Sequence, residues 1–109
     1  MSTRQFLSPE KVSATYRYEC GLTIKASGHE SGVENIRIRS AGSMPIEFPI
    51  FMVEADEISI AGVLPYDVLP YDVRTEFKVC RIPDTIVMHS SNGSKHYPVR
   101  VESATVVRR

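Results

Sequence analysis

The residues best suited to chemistry are three histidines, two of which flank a predicted hairpin turn. Asn92-Gly93 is the favoured dipeptide of a two-residue type I′ turn between two strands. A register centred on that turn places His89 opposite His96, about 5 Å away at Cβ, which is close enough to share a metal ion. His29, in a glycine-flanked loop, would complete a zinc site of the three-histidine type. Both hairpin histidines point away from the apolar face and no fourth ligand or pocket is visible, so we predict no metal and no catalytic residue.

A second group of ionisable residues is the stretch Glu54-Ala55-Asp56-Glu57, which brings three carboxylates together. Carboxylates at this spacing suit a hard cation, but calcium loops use a longer pattern of ligands that contains glycine. The sequence therefore predicts a solvated acidic turn.

The two cysteines, Cys20 and Cys80, are far apart in the sequence and form no C-x-x-C pair for a metal. Each lies in or near a predicted strand, so we expect two buried free thiols. The alternative, a disulfide between them, requires an oxidising compartment. A nucleophile elbow, a phosphate-binding loop and a dinucleotide fingerprint are absent from the sequence. We therefore predict a protein that is not an enzyme and binds no cofactor.

The composition is that of an ordinary small globular domain. The chain has 109 residues, and 13 basic and 13 acidic side chains give a formal net charge of zero. Such a balance provides no general attraction to nucleic acid or to a membrane surface. The sequence has no apolar run of the ~20 residues that span a bilayer. Its first residues lack the apolar core of a signal peptide, so we expect synthesis in the cytosol.

The element that organises the chain is a long alternating stretch from Val12 to Ser27. Even-numbered positions are mainly apolar and odd-numbered ones mainly polar, which is the period of a half-buried β-strand. Sixteen residues in one strand would reach roughly 50 Å, too long for a domain of this size. Gly21 lies near the middle, and glycine in a strand often marks a bulge. We predict one strand bent at Gly21, whose two halves belong to two sheets or to two sides of a barrel.

Further strand patterns follow at residues 35–40, 46–53, 57–61 and 74–82, before the hairpin around Asn92-Gly93. In the segment 46–53, Pro49 indicates an edge strand or a bulge. Phe51 and Val53 are predicted on its outer face, opposite the inward residues Ile46, Phe48, Ile50 and Met52. With little helix, the pattern predicts an all-β fold, a small antiparallel β-barrel or β-sandwich of about 6–7 strands.

Two regions are predicted to lie outside regular strands. Residues 1–11 form an N-terminal arm in which Phe6 and Leu7 dock on the domain or on a neighbour, and residues 12–109 form the single β-domain. The pentapeptide Leu64–Val68 is repeated as Leu69–Val73. A proline in every fifth position disrupts both helix and strand pairing, which predicts an exposed loop. Tyr66 and Tyr71 would give this loop a rim that binds a partner.

A long first strand that bends at a glycine resembles the first strand of an OB-fold. This resemblance implies a module that binds single-stranded nucleic acid. Such a surface needs aromatic residues among basic ones on its wet face. The basic residues predicted to face outward are Arg17, Lys25, Arg37, Arg39 and Arg100. The aromatic residues predicted to face inward are Tyr16, Tyr18, Phe48 and Phe77, so the required combination is missing.

The function we predict is therefore a non-enzymatic structural or docking β-module in a larger assembly. The apolar arm, a strand that is apolar on both faces and the Pro/Tyr loop all favour protein partners, as a homo-oligomer or in a virion as a phage head, tail or decoration protein. The predicted partner-binding residues are Phe6, Leu7, Phe51, Val53, Tyr66 and Tyr71. The alternatives are the single-strand nucleic-acid-binding module and a small protein inhibitor of a host enzyme.

Overall fold

A computed structural model of the chain describes residues 4–17, 21–41, 49–58, 68–79 and 81–102. The described residues form eight strands and no helix, and so include no helix long and apolar enough to cross a membrane. The strands are β1 (Arg4–Leu7), β2 (Lys11–Arg17), β3 (Gly21–Glu30), β4 (Val33–Ser40), β5 (Ile50–Glu57), β6 (Leu69–Phe77), β7 (Thr85–Ser90) and β8 (Gly93–Glu102). The predicted all-β class is confirmed, with eight strands instead of 6–7.

All eight strands belong to one sheet that curls into a half-barrel. Its hydrogen-bonded order is β1-β5-β7-β8-β2-β3-β6, and β4 pairs with β5 off this path. Most pairs are antiparallel as predicted, but β2 with β8 and β5 with β7 are parallel. Because β4 also packs against β6, strands from distant parts of this order meet across the curl.

The alternating stretch from Val12 to Ser27 is a hairpin, and the prediction of one strand bent at Gly21 is wrong. Strands β2 and β3 pair antiparallel from Lys11 opposite Ser27 to Arg17 opposite Gly21. Gly21 has a φ of +86°, and a Cβ there would lie 2.6 Å from the carbonyl oxygen of Phe77. The glycine is therefore required because β3 begins in close contact with the backbone at the end of β6. Residues 18–20, with Cys20, lie outside the described residues.

The core lies inside the curl. The residues that form it are Leu7, Ala14, Leu22, Ile24, Ala26, Ile38, Phe51, Val53, Ala55, Phe77, Ile86 and Met88. The rings of Phe51 and Phe77, from β5 and β6, have centroids 4.8 Å apart in a tilted arrangement. This aromatic contact joins two strands that are remote in the sheet order, and it stabilises the curl.

The inward and outward faces of strand β5 are the reverse of those predicted. Phe51 and Val53 are fully buried, whereas Ile50 and Met52 are only partly buried. Both predicted faces of this segment are apolar, so alternation alone could not identify the inner one. The prediction of an edge strand is also wrong, because β5 pairs with β4 on one side and with β1 and β7 on the other. Pro49 precedes the strand, and its carbonyl accepts a hydrogen bond from the Val87 amide at 2.8 Å.

The N-terminal segment contains a strand, contrary to the prediction of an arm without one. Strand β1 pairs with β5 and places Leu7 opposite Val53. This register directs Leu7 into the core, where it is 2% exposed, and leaves Phe6 on the outer face at 50% exposure. The two neighbouring apolar residues therefore have different roles.

The second copy of the repeated pentapeptide is also a strand and not the predicted loop. Residues 69–73 begin β6, which pairs with β3 along its whole length. Among the described strands, β6 is hydrogen-bonded only to β3, so Pro70 lies in an edge strand, where a missing amide donor is tolerated. Residues 59–67, with the first copy up to Asp67 and the predicted strand beyond Ile58, lie outside the described residues. Phe77 is buried as predicted.

Candidate functional site

The most unusual group in the structure is the side chain of Glu54, which is 1% exposed. The sequence predicted a solvated acidic turn at residues 54–57, and this prediction is wrong because the segment belongs to β5. Val53 and Ala55 face the core, so Glu54 lies on the outer side of the sheet. Its direct cross-strand neighbours are Phe6 on β1 and Arg37 on β4. Side chains from these two flanking strands therefore cover the carboxylate.

Three arginines surround the buried carboxylate of Glu54. Arg39 Nη1 donates to Oε1 at 3.0 Å, Arg37 Nε lies 3.5 Å from the same oxygen, and Arg4 Nη1 lies 3.7 Å from Oε2. An ionised carboxylate is costly to bury unless it is paired and hydrogen-bonded. The three guanidinium groups meet this requirement, and Glu54 in turn holds them at fixed positions.

Asp56 extends the same cluster by one step along the outer face of β5. Its carboxylate accepts hydrogen bonds from Asn35 Nδ2 at 3.1 Å and from Arg37 Nη2 at 3.2 Å. The hydrogen bond from Asn35, followed by that from Arg37, holds the pKa of Asp56 below its ordinary value. Arg37 thus bridges Glu54 and Asp56.

A β-bulge in β4 brings Asn35 to this position. The register of β4 on β5 shifts between Glu34 and Arg37, and Asn35 has a φ of +54°. Asparagine tolerates this left-handed conformation better than most residues, and an extra residue in a strand changes the direction of its side chains. Arg37 Nη1 also donates to the Asn35 carbonyl at 2.8 Å, which fixes the bulge and the guanidinium together.

We call this region the arginine face and define it by Arg4, Phe6, Arg37 and Arg39, with Glu54 and Asp56 between them. Three cations and two carboxylates leave a formal charge of +1. The side chains of Arg4, Arg39 and Arg37 are 58%, 53% and 36% exposed. Glu54 and Asp56 therefore hold the guanidinium groups in place, while part of each arginine side chain remains exposed to solvent next to the half-exposed ring of Phe6.

The histidines do not form the predicted cross-strand pair. Strands β7 and β8 pair two residues out of the predicted register, so His89 lies opposite Ser94 and His96 lies opposite Val87. His89 Nδ1 forms its hydrogen bond with Ser94 Oγ. The shift by two preserves the faces, and Ile86 and Met88 are buried as predicted.

The third histidine lies in a different contact. His29 Nδ1 lies 3.0 Å from Glu10 Oε2 on the exposed side of β3. Within the described ranges, the structure has no group of three or more His, Cys, Asp or Glu residues placed to hold a metal ion.

The six predicted partner-binding residues are not brought together. Leu7, Phe51 and Val53 are core residues and are not available to a partner, which corrects that prediction. Phe6 is exposed on the arginine face. Tyr71 is partly buried with its hydroxyl oxygen enclosed and without a hydrogen-bond partner among the described residues, while Tyr66 and Cys80 lie outside them.

The acidic half of the arginine face was not predicted from the sequence. Arg37 and Arg39 were expected to point outward, and they do. The signal for their partners was the spacing itself, because Glu54 and Asp56 alternate with apolar residues as the two arginines do. Two complementary patterns of charge at every second residue indicate two strands that pair side by side.

Comparisons with protein-family models, with curated proteins and with solved structures found no match to this chain. We therefore infer the function from the geometry of the molecule.

Proposed function

We propose that this chain is a non-enzymatic docking module that joins a larger protein assembly through its arginine face. The partner is a protein segment that presents carboxylates next to an apolar side chain. The observation that carries this proposal is the half-exposed ring of Phe6 among three arginines that a buried glutamate holds in place.

The composition of the face supports this assignment. Aromatic residues and arginine are enriched at the centres of protein interfaces and dominate their binding energy. A guanidinium group can also bind a carboxylate through two parallel hydrogen bonds. Since Glu54 and Asp56 already order the guanidinium groups, binding a partner costs less conformational entropy than with free side chains.

The edge position of β1 favours a partner that binds as an extended segment. Among the described strands, β1 is hydrogen-bonded only to β5, and none of them pairs with its second edge. An open edge accepts an additional strand through backbone hydrogen bonds, and neighbouring side chains provide the specificity. An acidic segment paired with β1 would lie next to Arg4 and Phe6.

We assign the partner to an assembly that uses this chain in many copies, of which a phage head or tail is the type suggested by its size and β-architecture. A small inhibitor of a host enzyme would use the same face. The two assignments differ in one measurable property, because a subunit of an assembly self-associates or joins its particle and an inhibitor binds one enzyme.

The test is photo-cross-linking from position 6. Replacement of Phe6 by the photoreactive analogue benzoylphenylalanine should give one discrete adduct in extracts of the source organism, and the attached peptide should be rich in Asp and Glu. Adding Arg39→Gln should reduce its yield severalfold. The control carries the same analogue at Lys78, an exposed position outside the face.

Two results would contradict the docking proposal. One is equal, diffuse cross-linking from positions 6 and 78. The other is an adduct whose yield does not change when Arg39 is replaced.

Single-stranded nucleic acid is the second candidate partner, because an exposed aromatic ring among arginines also suits base stacking and phosphate contacts. It has less support, since the face has a formal charge of only +1 and Tyr16 and Phe77 lie on the inner side of the sheet. Retention of a labelled oligonucleotide at low salt, lost with Phe6→Ala and falling steeply with salt, would replace the docking proposal.

A further inference from the structure

A second polar region lies on the outer side of the other half of the sheet, on β2, β3 and β6. It is a shallow concavity of about 200 Å³ lined entirely by polar side chains. The lining residues are Ser13, Thr15, Arg17, Thr23, Lys25, Arg74 and Glu102. Three of these are cations and one is a carboxylate.

Two of the three cations, Lys25 and Arg74, have no close carboxylate among the described residues. Arg17 Nε donates to Glu102 at 2.8 Å, which accounts for the single carboxylate of the lining. Lys25 has no ion pair within the described ranges, and Arg74 has a carboxylate only at 4.0 Å, that of Glu76. Both members of that last pair are at least half exposed, so the pair contributes little.

Lys25 and Arg74 are also direct cross-strand neighbours, one on β3 and the other on β6. Residues in this relation have Cβ atoms roughly 4.5–5.5 Å apart, and like charges there destabilise the pair of strands. The third residue of the row, Ser13 on β2, is neutral. An anion bound between the two cations would remove this repulsion.

The next row along the strands provides hydroxyl groups. Thr23 lies between Thr15 and Glu76, and it is only 8% exposed although it faces outward. Its hydroxyl makes no hydrogen bond to any residue that the structure describes. Because the hydroxyl lies in the lining of the concavity and has no partner among these residues, it is free to donate a hydrogen bond to a ligand there.

We propose that this concavity binds a small tetrahedral oxyanion, such as phosphate or sulfate, between Lys25 and Arg74 with the Thr23 hydroxyl as a further donor. The size limits the ligand, because about 200 Å³ is below the roughly 300–1,000 Å³ typical of pockets for larger organic molecules. Arginine supplies a planar fork of donors and lysine a point charge, the usual pair for such an anion. The site is independent of the arginine face and of the docking proposal.

The test is a titration of the full chain with inorganic phosphate, with sodium chloride adjusted to keep the ionic strength constant. Backbone amide signals of Thr23, Lys25 and Arg74 should shift and saturate. Lys25→Gln should weaken binding about tenfold or more, and Thr23→Val, which keeps the shape, about fivefold. Lys78→Gln is the matched control for loss of one exposed lysine, and Arg39→Gln is the control for the arginine face; both should bind as the unchanged chain does.

Shifts that do not saturate, or that are the same in Lys25→Gln, would overturn the site. A phosphodiester is the other source of the same chemistry, and an oligothymidylate is titrated in parallel. Binding of the oligonucleotide that depends on Lys25, without saturable binding of phosphate, would replace the proposal with a nucleic-acid surface. Normal affinity in Thr23→Val would remove the threonine from the site.

Discussion

The arginine face and the polar concavity on β2, β3 and β6 lie on the same outer side of one curled sheet, but they arrange their charges differently. In the arginine face, the interior strand β5 contributes the carboxylates, and β1 and β4 on either side contribute the cations. In the concavity, the interior strand β3 contributes Lys25, and β6 beside it contributes a second cation, Arg74.

This difference determines whether each region can balance its charges within the chain or is stabilised by an added ion. Glu54 satisfies three arginines within the chain, so the arginine face is ordered before any partner arrives. Lys25 and Arg74 repel each other within the chain, so their row is most stable when an anion is added. The position of one carboxylate in a cross-strand row thus separates a row of paired charges on the arginine face from a row of adjacent like charges in the concavity.

The largest effect is expected when Glu54 loses all of its partners. The triple variant Arg4→Gln, Arg37→Gln, Arg39→Gln leaves an unpaired buried charge, and we expect a loss of about 3–5 kcal/mol in the free energy of unfolding, measured with urea. Adding Glu54→Gln removes that charge and should recover most of the loss. A quadruple variant less stable than the triple one would show that Glu54 is not held by these arginines.

The next effect concerns the backbone where β3 begins, at the end of the β2–β3 hairpin beside Arg17 of the concavity. Gly21→Ala places a methyl group 2.6 Å from the carbonyl oxygen of Phe77 at a φ of +86°, and we expect a loss of about 2 kcal/mol. Gly32→Ala is the control, because Gly32 has a φ of +71° and no atom within 4 Å of the added carbon. It should cost about 1 kcal/mol. Equal thermal shifts in the two variants would mean that the contact with Phe77 is unimportant.

How far the sequence predicted this molecule depends on what alternation can encode. The period of two correctly indicated extended structure at residues 12–17 and 21–27, but it could not separate a bent strand from the β2–β3 hairpin. In that hairpin even-numbered residues pair with even-numbered ones, as Ala14 does with Ile24, so the same residues share a face in both arrangements. The distinction depends on which strands pair, and this is set by contacts distant in the sequence.

The candidate site shows the same limit. The outward direction of Arg37 and Arg39 was predictable from local pattern, whereas the burial of Glu54 was not. Its exposure depends on side chains from β4 and from β1, a four-residue strand whose Leu7 packs in the core opposite Val53. Short apolar segments near a chain end give no alternation to detect.

A smaller effect is expected for Tyr71, whose hydroxyl is enclosed without a partner. Burial, with the negative charges of Glu30 and Glu10 adding to it, raises the pKa of Tyr71 to about 12. The folded state therefore favours the neutral phenol, and stability present below pH 10 is lost as the pH rises toward 12. Tyr71→Phe should remove this alkaline slope and stabilise the chain by about 1 kcal/mol at pH 7. An unchanged slope in urea unfolding between pH 9 and 11 would assign it to another group.

The smallest effect is expected from a variant that gives the concavity the charge pattern of the arginine face. Lys25→Glu puts a carboxylate on β3 directly opposite Arg74, so a repulsive row becomes an attractive one. Without phosphate we expect a gain of about 0.5–1 kcal/mol in unfolding free energy, since the pair is exposed and contributes modestly. The phosphate-dependent amide shifts should disappear in the same variant. Lys78→Glu controls for the change in net charge and should leave both stability and phosphate binding near those of the unchanged chain. If Lys25→Glu gives no gain in unfolding free energy without phosphate, solvent alone relieves the repulsion between Lys25 and Arg74. The contrast between the two regions then does not hold for the concavity.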